Sequence, residues 1–142
     1  MKLNPQNGIA VFTDGSASTA DASGGWGWVA IDAAESIHTD SGYWPSTTNN
    51  QMELYAVANA LFAIFTHFGS SDVLIKSDSQ YVVLGCKNKE RKRNKNHIWW
   101  THVDEAIRLH QLVGFEHVKG HSNNTYNEMA DKLAGDARKA GK

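Results

Sequence analysis

Ile9-Ala10-Val11-Phe12-Thr13-Asp14-Gly15-Ser16 decides the fold. Ile9 to Phe12 is apolar on both alternating faces, the signature of a strand buried in the middle of a sheet. Asp14 then interrupts it, where the strand stops. The Gly/Ser/Ala/Asp stretch from Gly15 to Gly25 reads as loop. Trp26–Ile31 and Ile37–Trp44 flank a short polar turn at Asp32–Ser36 and read as a hairpin, so the first three strands form an antiparallel meander.

A long helix follows. Thr48 and Gln51 are spaced as a capping box, which puts Asn49 and Asn50 in the first turn. Val57, Leu61 and Ile64 form an apolar stripe, and Glu53 falls on that stripe one turn before Val57. A carboxylate on the core side of a helix is costly unless it is paired or metal-bound. Val73–Ser77 reads as a fourth strand, and Ser79–Gly85 as a short helix ended by its glycine. His97–Leu112 has helical spacing at Trp100, Val103, Ile107 and Leu112, and Phe115–Val118 is a fifth strand. Thr125 and Glu128 form a second capping box, with Ala130, Leu133, Ala134 and Ala137 facing inward. The expected fold is α/β: a five-stranded mixed sheet, three strands antiparallel and two parallel, with helices on both faces.

The chain has 142 residues, 41% of them apolar, which suits one domain spanning 1–142. A net charge of −1 supplies no global field for nucleic acid, so attraction must be local. The local source is Lys87, Lys89, Arg91, Lys92, Arg93 and Lys95 against Glu90. One cysteine, Cys86, excludes an intrachain disulfide and suits a reducing compartment. Met1–Gly8 is polar, without the apolar stretch of a secretory signal. The longest apolar run, Ala56–Phe65, is interrupted by Asn59 and is far short of the roughly 20 residues of a membrane span. A cytoplasmic monomer with no membrane partner is expected.

Four acids, Asp14, Glu53, Asp78 and Asp131, each stand where an apolar element starts or stops. Hard cations such as Mg²⁺ favour oxygen ligands, and two-metal hydrolysis of phosphodiesters needs clustered carboxylates. That combination points to a metal-dependent nuclease. Crowding the acids together should raise the proton affinity of at least one of them when no metal is present. The bland alternatives are specific. Asp78 could simply cap the helix that follows, Asp131 could be a surface acid, and Glu128 belongs to its cap.

In order and spacing, Phe12-Thr13-Asp14-Gly15-Ser16, Gly24-Gly25-Trp26-Gly27, Thr48-Asn49-Asn50-Gln51-Met52-Glu53, Ser77-Asp78-Ser79-Gln80-Tyr81-Val82, and Val118-Lys119-Gly120-His121 leading to Asn127-Glu128-Met129-Ala130-Asp131 resemble type 1 ribonuclease H. That family cuts the RNA strand of RNA–DNA hybrids, and the match runs from about Val11 to Leu133. The resemblance implies two Mg²⁺ ions, with Mn²⁺ tolerated, held by Asp14, Glu53, Asp78 and Asp131. It implies that Asp14 bridges the two. Asp131 would serve the ion near the attacking water, and Glu53 and Asp78 the ion near the leaving 3′ oxygen. Endonucleolytic products with 5′-phosphate and 3′-hydroxyl ends would follow.

His121 matches the family histidine that assists catalysis or product departure. Asn49 and Gln80 match minor-groove readers able to recognise a 2′-hydroxyl. Thr48 and Asn50 match groups that hold a phosphate of the DNA strand, and Gly15 and Ser16 complete the substrate set. Two features depart from the family. The segment Ala17–Ser23 has neither the proline nor the substrate-contacting asparagine common in bacterial members. The segment between Gly85 and Trp100 is too short for the basic helical protrusion many members carry, although Lys87–Lys95 keeps its charge and is expected to grip the DNA backbone. The rivals are a non-cutting hybrid-binding module, an exonuclease or strand transferase on a related fold, and a piece of a reverse transcriptase.

Overall fold

The computed structural model describes residues 8–88, 93–120 and 124–141. Its elements run β1 (Gly8–Ala17), β2 (Gly24–Ile31), β3 (Ile37–Trp44), α1 (Asn49–Phe68), β4 (Asp72–Ser77), α2 (Gln80–Lys87), α3 (His97–Arg108), β5 (Leu112–His117) and α4 (Thr125–Ala140). The strands form one sheet in the order β3-β2-β1-β4-β5. β1–β2 and β2–β3 are antiparallel, whereas β1–β4 and β4–β5 are parallel. β1 is thus the central strand, and the sheet changes sense on it. In open α/β sheets, ligand sites gather outside the carboxyl ends of strands at such a switch.

Alternation along β1 divides the interior. Ile9 and Val11 face the α1 side and join Leu54, Val57, Leu61, Ile64, Val73, Ile75 and Trp100 in the larger core. Each fully buried aliphatic side chain there contributes about 1.5–3 kcal/mol. Phe12 faces the other way, with Val29 and Ala130, into a thin layer beneath α4. The hairpin turn is tied by Asp32, whose Oδ1 accepts from Ala34 N and Ser36 N at 2.9 Å each. No helix among the described residues is long and apolar enough to cross a membrane.

Several boundaries differ from the sequence expectation, each for a packing reason. Residues 15–17 and Gly24–Gly25 are strand, not loop; only Ser18–Ser23 turns, closed by Ser18 N to Ser23 O at 2.8 Å. Gly85 lies inside α2 rather than ending it, because a Cβ there would overlap the Trp100 ring. Leu112 begins β5 instead of closing α3, pairing with Asp72. The α4 cap is Asn124, whose Oδ1 accepts from Asn127 N at 3.0 Å; Thr125 and Glu128 do not form the expected box. Thr48 does cap α1, accepting from Gln51 N at 3.2 Å. The Gln51 amide turns away, to Thr47 and Asn96, so that box closes on one side only.

Candidate active site

The four acids arrive from four elements. Asp14, near the carboxyl end of β1, is buried. The last parallel pair of β1 and β4 is Thr13 with Ser77, so Asp14, still on β1, and Asp78, just past the end of β4, follow side by side. Ser79 caps α2, its Oγ accepting from Val82 N at 3.2 Å. Asp78 is therefore not needed as the cap.

Glu53 comes from the second turn of α1 and is only 6% exposed. Its Oε1 accepts from Gly15 N at 2.7 Å. Gly15 must lack a side chain, because a Cβ would overlap the α1 backbone at Met52 and Glu53. The glycine read as the start of a loop is the strand residue on which α1 rests. Oxygens of Asp14, Glu53 and Asp78 all lie within 4.8 Å of one another. Asp131, exposed on α4, reaches the Asp14 carboxyl from the opposite side of the sheet.

Concentrated negative charge shows in the proton affinities. Burial, opposed by the Glu53 hydrogen bond and reinforced by Asp131 and Asp78, pushes Asp14 up to about 7. Burial, then the hydrogen bond and charge of Asp14, hold Glu53 well above the usual carboxylate range. Near neutrality the metal-free cluster thus retains a proton that Glu53 shares with Asp14. With both acids ionised, Glu53 Oε2 is buried and has no hydrogen-bond donor among the described residues. An orphaned anionic oxygen between two further carboxylates fits a hard divalent cation. The all-oxygen donor set does not suit a soft metal.

The substrate candidates are mostly exposed. Thr48 and Asn50 are exposed at the start of α1. Asn49 is exposed too, its Oδ1 accepting from Ala17 N at 2.6 Å, which ties the helix start to the end of β1. Gln80 is exposed at the first position of α2, and Lys87 at its last. Lys95 is exposed ahead of α3. Ser16 Oγ accepts from Arg138 Nε at 3.3 Å.

Arg93 is a correction. Its side chain is turned inward, with Nη1 on Asp104 Oδ2 at 2.6 Å, Nε on Gly85 O at 2.9 Å, and the guanidinium 4.1 Å from the Trp100 ring. It pins the segment leading into α3 and does not belong with the substrate-gripping cations. Lys89, Arg91, Lys92 and His121 lie outside the described residues. Gly120, which precedes His121, sits where a Cβ would stand 3.1 Å from Asp78 Oδ2. Arg138 escaped the sequence reading, although its spacing of seven residues from Asp131 places both on one helical face.

The RNase H family model matches residues 6–139. A ribonuclease H from Prosthecochloris aestuarii is 40% identical over 92% of this chain and 95% of its own. Among solved structures, LC9-RNase H1, described as a type 1 RNase H with the type 2 active-site motif, superposes with a TM-score of 0.80 at 27% identity, over 98% of this chain and 75% of that one. LC11-RNase H1 in complex with an RNA/DNA hybrid gives 0.80 at 22% identity, over 94% and 98%. The fold, the acid cluster and the family match agree: this chain is an enzyme of the ribonuclease H family, of type 1.

Proposed function

We propose that this protein is an endonuclease that hydrolyses the RNA strand of RNA–DNA hybrids with two Mg²⁺ ions, leaving 5′-phosphate and 3′-hydroxyl ends. The observation that carries this is the convergence of Asp14, Glu53 and Asp78 within 4.8 Å at the sheet's switch point, with Asp131 against Asp14. Asp14 stands between the other acids and suits a bridging role. Glu53 and Asp78 would hold one ion and Asp131 would help hold the other. When bound, the ions supply a nucleophile at neutral pH and offset charge on the phosphate.

The chain's own residues do the rest. Glu53 is held rigid by Gly15 N, so its second oxygen is fixed before metal arrives. Thr48 and Asn50, at the exposed α1 N-terminus, hold a DNA-strand phosphate, where helix N–H groups favour an anion. Asn49 and Gln80 read the minor groove, the Asn49 amide oriented by its bond to Ala17 N. Lys87 and Lys95, with Lys89, Arg91 and Lys92, contact the DNA backbone. His121, following Gly120 beside Asp78, moves a proton at the cleaved linkage. The hybrid seen with LC11-RNase H1, a protein of the same fold, supports this substrate class. A single domain over 1–142, monomeric and cytoplasmic, completes the proposal.

The test offers labelled RNA–DNA hybrid, double-stranded RNA, double-stranded DNA and single-stranded RNA, each with Mg²⁺ and with chelator. Internal cuts in the hybrid's RNA strand, lost with chelator, are expected. Stepwise loss from an end, or equal cleavage of double-stranded RNA, would overturn the assignment.

A further inference from the structure

Arg138 is a cation beside the site that the proposed mechanism does not use. It lies two helical turns beyond Asp131 on α4, about 10 Å along the axis. The glycines of β2 let α4 lie directly on the sheet: a Cβ on Gly27 would crowd Leu133 and Ala134, and one on Gly25 would overlap Ala134 O and press on Arg138 N. Gly27 pairs with Asp14, and Gly25 with Ser16. The same close approach therefore sets Asp131 against Asp14 and Arg138 against Ser16. Arg138 is half-buried and donates through Nε to Ser16 Oγ at 3.3 Å. Among the described residues no carboxylate forms an ion pair with it.

A guanidinium has five N–H donors in a planar fork, and one is used here. Accepting from Nε leaves the Ser16 hydroxyl hydrogen available as a donor. The turn after Ser16, Ser18–Ser23, supplies no cation or amide side chain and carries Asp21. The metal ions proposed above would serve the cleaved phosphate, so a flanking phosphate of the same strand needs a positive group of its own outside the metal cluster. We propose that Arg138 and Ser16 together bind a phosphate of the RNA strand flanking the cleaved linkage, which makes Arg138 a substrate-positioning residue. The inference rests on the hybrid-nuclease function proposed above. The plainer role, a cation complementing the carboxyl end of α4, would act on helix stability and not on the substrate.

The experiment measures binding of an RNA–DNA hybrid in Ca²⁺ by a cleavage-deficient Asp78→Asn parent, as a function of salt. Adding Arg138→Met should weaken binding about 5–20-fold at low salt and make the log–log salt dependence shallower by about 0.9, one lost phosphate contact. On an otherwise wild-type background, KM should rise with kcat within about twofold and the melting temperature unchanged. Lys139→Met, which removes an exposed neighbouring charge, should leave the salt slope as it was. Ser16→Ala should weaken binding less, and Ser16→Ala with Arg138→Met no more than Arg138→Met alone. An unchanged slope for Arg138→Met, or a lost melting temperature with binding intact, overturns the proposal while leaving the nuclease standing. A parent that binds no hybrid overturns both.

Discussion

Two helices bring carboxylates to Asp14, and they do so under opposite conditions. α1 is embedded in the main core; Met52, Leu54, Val57 and Leu61 around Glu53 are all fully buried. α4 lies over a thin layer, its Ala130 buried with Phe12 and Val29, and is seated by glycines. Glu53 is consequently desolvated and holds its proton strongly, whereas Asp131 stands in solvent. One side of the site is buried and expensive to ionise, and the other is open to solvent. A divalent cation held by these acids would favour their ionised forms, and Asp131 is the one of them that solvent reaches most freely.

The largest effect should come from the shared centre. Asp14→Asn should lower cleavage of a hybrid by about 10³-fold or more, since it removes the acid that both sides need. Steady-state rates with Mg²⁺ check this; activity within tenfold of wild type would break the picture of a common ligand.

The same substitution should change stability in the other direction. Asp14 has its folded proton affinity raised from 3.8 to about 7. Its contribution is therefore fully present below about pH 4 and is lost as pH rises through 7. For the metal-free protein the loss is on the order of a few kcal/mol, divided between Asp14 and Glu53. Denaturant midpoints from pH 4 to 8 should show wild type falling relative to Asp14→Asn. Mg²⁺ should recover stability at pH 8, by about 2.7 kcal/mol at a hundredfold excess over its dissociation constant. Equal pH profiles for the two proteins would mean that the buried pair is not strained.

The α4 side is tested through its seat. Gly27→Val should destabilise by about 2–4 kcal/mol and lower activity as Asp131 is lifted from Asp14. Urea midpoints and rates should move together. Away from both helices, Arg93→Met should cost about 2 kcal/mol by removing the ion pair with Asp104, with the hybrid salt slope unchanged. The smallest effect is reserved for Asp131→Asn. Its metal-free stability should stay within about 0.5 kcal/mol of wild type, while its activity falls. A stability change as large as that of Asp14→Asn would erase the contrast between the two sides.

How far the sequence could be read depended on what each residue packs against. Ile9–Phe12 announced a central strand because apolar runs with double-sided burial have one common solution. Glu53 was legible as a core-facing acid through helical spacing alone. Gly15, Gly24 and Gly25 are strand rather than loop, since absent side chains signal a turn locally but also permit close packing on a strand, and only the tertiary arrangement separates the two. Gly85 followed the same rule with Trp100 as the neighbour. Arg93 looked like one of a run of solvated cations; its partner Asp104 lies on the next helix, and nothing in the run itself marks it. The proximity of Asp131 to Asp14 was suggested by resemblance, not by periodicity. Arg138 carries no local signal, because it stands off the apolar face of α4 that helical spacing picks out and its partner Ser16 lies on the first strand.

The acid cluster joins the first strand of the described fold to its last helix, because Asp14 stands on β1 and Asp131 on α4. A nascent chain that has not yet delivered α4 lacks Asp131 and holds an incomplete ligand set. Hydrolytic capacity is thus expected to wait on the docking of α4, whose seat on the β2 glycines brings the fourth acid to the other three.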